Sequence, residues 1–166
     1  NTLIGEEETG QEDYTATFEV PYEPGTLKAV NSKGKEEFVL KTAGAPAAIR
    51  LIADRSKIKA CKNDLSYVKI ELVDKNGNVV PETSLPVKIE CTGKGTVIAG
   101  GNAAYADMES FRSLTPNTFR GKAIAIVQPD GEKGDIQVKV SAKGLEDASI
   151  VITCLLYTSD AADDKA

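Results

Sequence analysis

The sequence contains no histidine and no tryptophan, a single methionine, and only 5% aromatic residues. Without histidine there is no Ser-His-Asp triad, no Cys-His dyad, no imidazole base and no His-ligated zinc. Carboxylates, lysine, tyrosine and three cysteines are the catalytic vocabulary that remains. Clustered positive charge is missing too: 25 acidic side chains face 20 basic ones, a formal net charge of −5. No nucleic-acid partner is therefore expected, because phosphate-backbone binders displace counterions with basic patches. No apolar run approaches the ~18 residues that would suggest a membrane-spanning helix, so no membrane partner is expected either. What is present suffices for folding. Hydrophobic residues fill 41% of 166 positions, enough for one ordinary domain or two small ones. Composition points to a binding or structural module.

Charge is divided unevenly. Residues 1–44 carry nine acids and four bases, residues 45–153 thirteen and fifteen, and residues 154–166 three and one. The seam between the first two is Thr42-Ala43-Gly44-Ala45-Pro46-Ala47, small residues around a glycine and a proline, which reads as a short interdomain linker. Before it, period-two patterning predicts three strands: Tyr14–Val20, Thr26–Val30 and Glu37–Thr42. Three short strands with few large apolar residues are marginal alone, so residues 1–44 read as the end of a larger β domain.

After the seam the same grammar repeats at greater length. A broken first strand over 48–54 and 57–60 precedes strands at 67–74, 86–92, 96–99, 121–128, 136–141 and 148–153. Val68, Ile70 and Leu72 should point inward, and Gly121–Gln128, apolar on both faces, should be central. Asp74-Lys75-Asn76-Gly77-Asn78 is a hairpin signal, since Asn-Gly accepts positive φ. Strands of this length and spacing predict an all-β fold: an immunoglobulin-like β-sandwich over residues 45–153, preceded by a three-stranded remnant of a second β domain. Ala106–Leu114 is the one helical candidate.

Particular runs add a resemblance. Phe18-Glu19-Val20-Pro21-Tyr22-Glu23-Pro24-Gly25-Thr26-Leu27 resembles the end of the immunoglobulin-like domain that follows the catalytic barrel in bacterial family 2 glycoside hydrolases of the β-galactosidase type. Thr42–Leu51 resembles their junction into C-terminal domain 5, and Asp64–Val68, Asp74–Asn78, Glu109–Phe111, Gly121–Ala123 and Ile126–Gln128 resemble that domain. The resemblance implies a parent that cleaves glycosides with two glutamates on a (β/α)₈ barrel by double displacement. Neither catalytic motif matches here, so no catalytic residue is carried over and no cofactor or metal is expected. The expected partners are the catalytic barrel and upstream domains of the same chain, and carbohydrate. A periplasmic or extracellular location is implied by the resemblance alone. The alternative is a tandem immunoglobulin-like segment of a bacterial surface adhesin. Residues 154–164 resemble a translated sequencing adapter, and residues 154–166 are expected to form a disordered, non-native tail with at most an extension of the last strand.

Individual sites divide into bland and sharp readings. Glu6-Glu7-Glu8 with Glu12 and Asp13 reads as a solvated charge run, and the Asp74 loop lacks the glycine and glutamate of an EF-hand. Gly93-Lys94-Gly95 and Gly100-Gly101 open no helix and read as bulges or bends rather than a phosphate cradle. Glu71, Glu90, Asp135 and Glu146 are expected on solvent faces or in turns. Tyr105, on the long loop, is the candidate sugar contact. Cys61 and Cys91, placed at one end of the sandwich by the predicted strand path, are either a disulfide or two free thiols.

Overall fold

The computed structural model describes residues 2–10, 14–32 and 34–156, and the chain separates into two compact units between Thr42 and Ala43. In the first unit, β1 (Thr26–Val30) and β2 (Glu37–Lys41) form an antiparallel ribbon with Leu27 opposite Leu40 and Ala29 opposite Phe38. The expected third strand is not there. Tyr14 donates its N–H to the Gly10 carbonyl, Gly10 to that of Thr15, and Thr17 to the Glu7 carboxylate. Those local bonds, with Tyr14 at φ 55°, take up backbone groups of Tyr14, Thr15 and Thr17 that a strand would have offered to a sheet.

The second unit is an all-β immunoglobulin-like sandwich, as its patterning predicts. Its strands are β3 (Ala48–Ala53), β4 (Lys57–Lys59), β5 (Ser66–Val73), β6 (Val87–Gly93), β7 (Gly95–Gly101), β8 (Lys122–Pro129), β9 (Gly134–Ala142) and β10 (Ala148–Leu155). One sheet has the order β3-β5-β8-β7 and the other β4-β10-β9-β6; every pairing is antiparallel except β4 with β10. The core is the set of inward positions that alternation selects. Val68, Ile70 and Leu72 of one sheet and Ile136, Val138, Val140 and Ile152 of the other are fully buried. Each such side chain contributes about 1.5–3 kcal/mol by leaving water. Strand β8 is central, between β5 and β7.

The break in the first strand lets one chain segment serve both sheets. Its corner is held by Asp54, whose carboxylate accepts N–H groups from Arg55 (2.8 Å) and Tyr67 (2.7 Å), while the buried Ser66 hydroxyl donates to the Arg55 carbonyl (2.8 Å). A second sheet change, from β6 to β7, is made at Gly93-Lys94-Gly95. Gly93 has φ +96°, and a Cβ there would lie 2.1 Å from the Asp135 carbonyl oxygen. Only glycine fits such an approach.

One further expectation is corrected. Ala106–Leu114 is not helical: Asn102, Asp107 and Ser110 each use a side-chain oxygen to accept the N–H two residues on, which competes with helical bonding. The last strand runs two residues past Thr153. Cys154 and Leu155 continue β10, opposite Ile58 and Lys59, and Cys154 is buried because its parity matches Ile152. Residues 157–166 lie outside the described residues.

Candidate functional site

A glycoside-cleaving site would need a carboxyl group held protonated beside one that is ionised. Glu71 and Asp74 are the buried acids among the described residues, and neither is free. Glu71, expected on a solvent face, is 5% exposed because Arg50 stands directly opposite it in the β3–β5 register. The guanidinium donates Nε (2.9 Å) and Nη2 (2.6 Å) to one Glu71 oxygen and Nη1 to the Gly77 carbonyl (2.9 Å).

Asp74 works as a clasp. One carboxylate oxygen accepts the N–H groups of Asn76 (2.9 Å) and Asn78 (2.8 Å), and the other accepts Gly44 N–H (2.9 Å) and the Asn78 side-chain amide (3.1 Å). The Gly44 bond first, then those from Asn78 and Asn76, hold its pKa at about 2 despite opposing desolvation. Four donors occupy the acceptor sites a cation would need, so the loop is the hairpin turn its Asn-Gly predicts. Asp64 is likewise held below the usual carboxylate range, by the Lys59 N–H and then by Arg55. Among the described residues no three Cys, Asp or Glu side chains form a metal-binding group. Of the acidic run, Glu6–Glu8 are exposed, whereas Glu12 and Asp13 lie outside the described residues.

Tyr105 lies on the connection between β7 and β8, fully exposed. Met108 at 96% and Phe111 at 70% exposure share that loop, and the sequence reading passed over both. The loop is ordered: Gly100 N–H donates to the Phe111 carbonyl, Ile89 to Leu114 and Val87 to Pro116. The cleft at its base, beside Gly101, Phe111 and Pro116, is about 30 Å³. That holds about one water and no sugar ring, given that ligand pockets run to about 300–1,000 Å³. A shallow hollow of about 370 Å³ beside β4 is lined in part by Arg55 and Asp64, which pair with each other at 2.6 Å.

The cysteines do not form the candidate bridge. All three are free, and Cys61 follows β4 whereas Cys91 lies on β6, the opposite edges of one four-stranded sheet. Three strand spacings of about 4.8 Å separate those edges by about 14 Å, twice the Cα reach of a disulfide. The predicted path fails because β4 pairs beyond β10 instead of beside β6. Burial raises the pKa of the Cys91 and Cys154 thiols.

Comparison with known proteins decides the affiliation. Residues 49–151 match the model of glycoside hydrolase family 2 C-terminal domain 5, and residues 1–38 match a domain of unknown function, DUF4982. The chain belongs to glycoside hydrolase family 2. Over 82% of its length it is 33% identical to β-galactosidase BoGH2A of Bacteroides ovatus, and over 69% it is 30% identical to a β-galactosidase of Thermoanaerobacter pseudethanolicus. Among solved structures, a family 2 member from Bacteroides cellulosilyticus matches 90% of the chain at 38% identity with a TM-score of 0.81. The chain spans 16% of each of these curated relatives and 21% of that solved one. The larger part of this family 2 chain matches a C-terminal domain of such enzymes, and the two buried acids among its described residues fasten a strand pair and a turn.

Proposed function

We propose that the chain is a non-catalytic accessory region of an exported β-galactosidase-type hydrolase, contributing stability or substrate access to a catalytic body elsewhere in the polypeptide. The state of the buried acids carries the non-catalytic part of this reading. Glu71 is ion-paired with Arg50, which occupies one of its oxygens twice, and Asp74 is held ionised by four donors, so neither stands free to serve a glycosidic oxygen. The names of both curated relatives support the β-galactosidase part. Two segments that match two different family models in order favour this reading over a tandem adhesin, which would repeat one unit. Export, to the periplasm or beyond the cell, rests on the resemblance alone.

The test is removal of residues 43–156 from the full-length enzyme. The reading expects turnover of a nitrophenyl galactoside to persist in molecules that remain folded, with lower thermal stability or a raised KM for large substrates. Loss of kcat on the small substrate in a protein that still melts cooperatively would overturn it. Fractionation of the host decides export: enzyme confined to the cytosol contradicts it.

A further inference from the structure

Phe111 is a seated aromatic ring that stays largely bare. Its backbone carbonyl accepts the Gly100 N–H (2.7 Å), which fastens the loop to the end of β7. Its ring rests on Gly101: a Cβ there would stand 2.7 Å from Cδ1 and 3.0 Å from Cε1, so glycine is what lets the ring lie so close. Beside the ring is the hollow of about 30 Å³, whose polar lining comes from Asn102, Asp107, Glu109 and Ser110. Asp107 accepts the Glu109 N–H (2.9 Å) on one oxygen and the Asn102 side-chain amide on the other, and each oxygen keeps a lone pair. The Glu109 bond first, then that from Asn102, holds its pKa below the ordinary carboxylate value, so it remains an acceptor at neutral pH.

We propose that the Phe111 ring and this hollow form a binding site for a galactosyl unit of a neutral oligosaccharide, its C–H face on the ring and one hydroxyl in the hollow beside Asp107. A galactopyranose fits both parts, because its axial hydroxyl leaves one face free of oxygen and its rim carries the rest. The size of the hollow chooses a sugar over a protein partner. It takes one hydroxyl or one water and no side-chain anchor, whereas protein hot spots fill pockets. The seat chooses Phe111 over Tyr105, the candidate from the sequence. Tyr105 is fully exposed and packs on nothing, so binding would cost it side-chain freedom that the Phe111 ring has already given up. The galactosyl assignment rests on the β-galactosidase reading above; the seat and the hollow do not.

Titration of the isotope-labelled 166-residue chain with galactobiose, followed through its amide NMR shifts, tests it. The shifts should saturate with a Kd on the order of 1 mM and cluster at residues 100–117. F111A should weaken binding at least ~10-fold and F111Y should retain it, with the amides of β5 and β8 in place in both. Y105A should bind as the unaltered chain does. Shifts that fail to saturate by ~20 mM, shifts centred elsewhere, undiminished binding by F111A, loss of binding in Y105A, or equal binding of cellobiose would each overturn the proposal. Binding is read without turnover, so a full-length enzyme inactive on galactosides would fail the β-galactosidase reading and leave these shifts in place.

Discussion

Residues 14–42 and 48–155 are written in the same period-two pattern, yet no described residue of the first unit is buried, whereas the second unit buries a core. What separates them is the number of layers. In the second unit Val68, Ile70 and Leu72 meet the inward residues of a facing sheet, whereas in the first Leu27, Phe38 and Leu40 stay exposed on a two-stranded ribbon. Alternation thus specifies which side of a strand is to be covered and says nothing about whether a cover is present.

The sharpest way to break the contrast is a pair of truncations. Leu72→Ala should cost about 2–5 kcal/mol, because a fully buried side chain leaves a cavity, and Phe38→Ala should leave the Tm of the 166-residue chain unchanged. Urea melts of both variants compare them directly. A destabilisation by Phe38→Ala as large as that from Leu72→Ala would put the two regions in one cooperative unit.

Gly93→Ala should rank next, at about 1–3 kcal/mol or more, from its positive φ and the approach to the Asp135 carbonyl. Gly131→Ala, also at positive φ but with open space around it, should cost less; thermal melts rank them. Arg50→Met follows. It strips a buried carboxylate of its donors and should lose about 1–3 kcal/mol, with part of the loss recovered in the Glu71→Gln background.

The smallest expected effect is on pH dependence. The folded-state pKa of Asp74 is about 2, below its ordinary 3.8, so its contribution is fully present above about pH 4 and is lost as pH falls towards 2. D74N should flatten the stability profile across that window. It should also speed exchange of the Gly44 amide, which donates to this carboxylate. An unchanged profile would show that Asp64 and the other low-pKa acids set the acid limb by themselves.

The sandwich was legible because each strand has one buried face and ends in a turn residue: the inward triplet of β5, the Asn-Gly hairpin and the central place of β8 all follow from local pattern. The candidate site was not legible, because it depended on pairing. Cys61 and Cys91 fail as a bridge through strand order, which alternation does not encode. Glu71 is buried through the identity of the residue opposite it, Arg50, twenty-one positions away. Ala106–Leu114 misled because its polar residues favour helix caps and turns alike, and Tyr105 gave no hint that Met108 and Phe111 would be displayed beside it.

The measurement that tests the account most directly is hydrolysis of a nitrophenyl β-galactoside by the purified 166-residue chain. With Glu71 paired and Asp74 clamped, turnover should not rise above a buffer blank. Turnover that co-purifies with the chain and vanishes in E71Q or D74N protein that still folds would contradict the account.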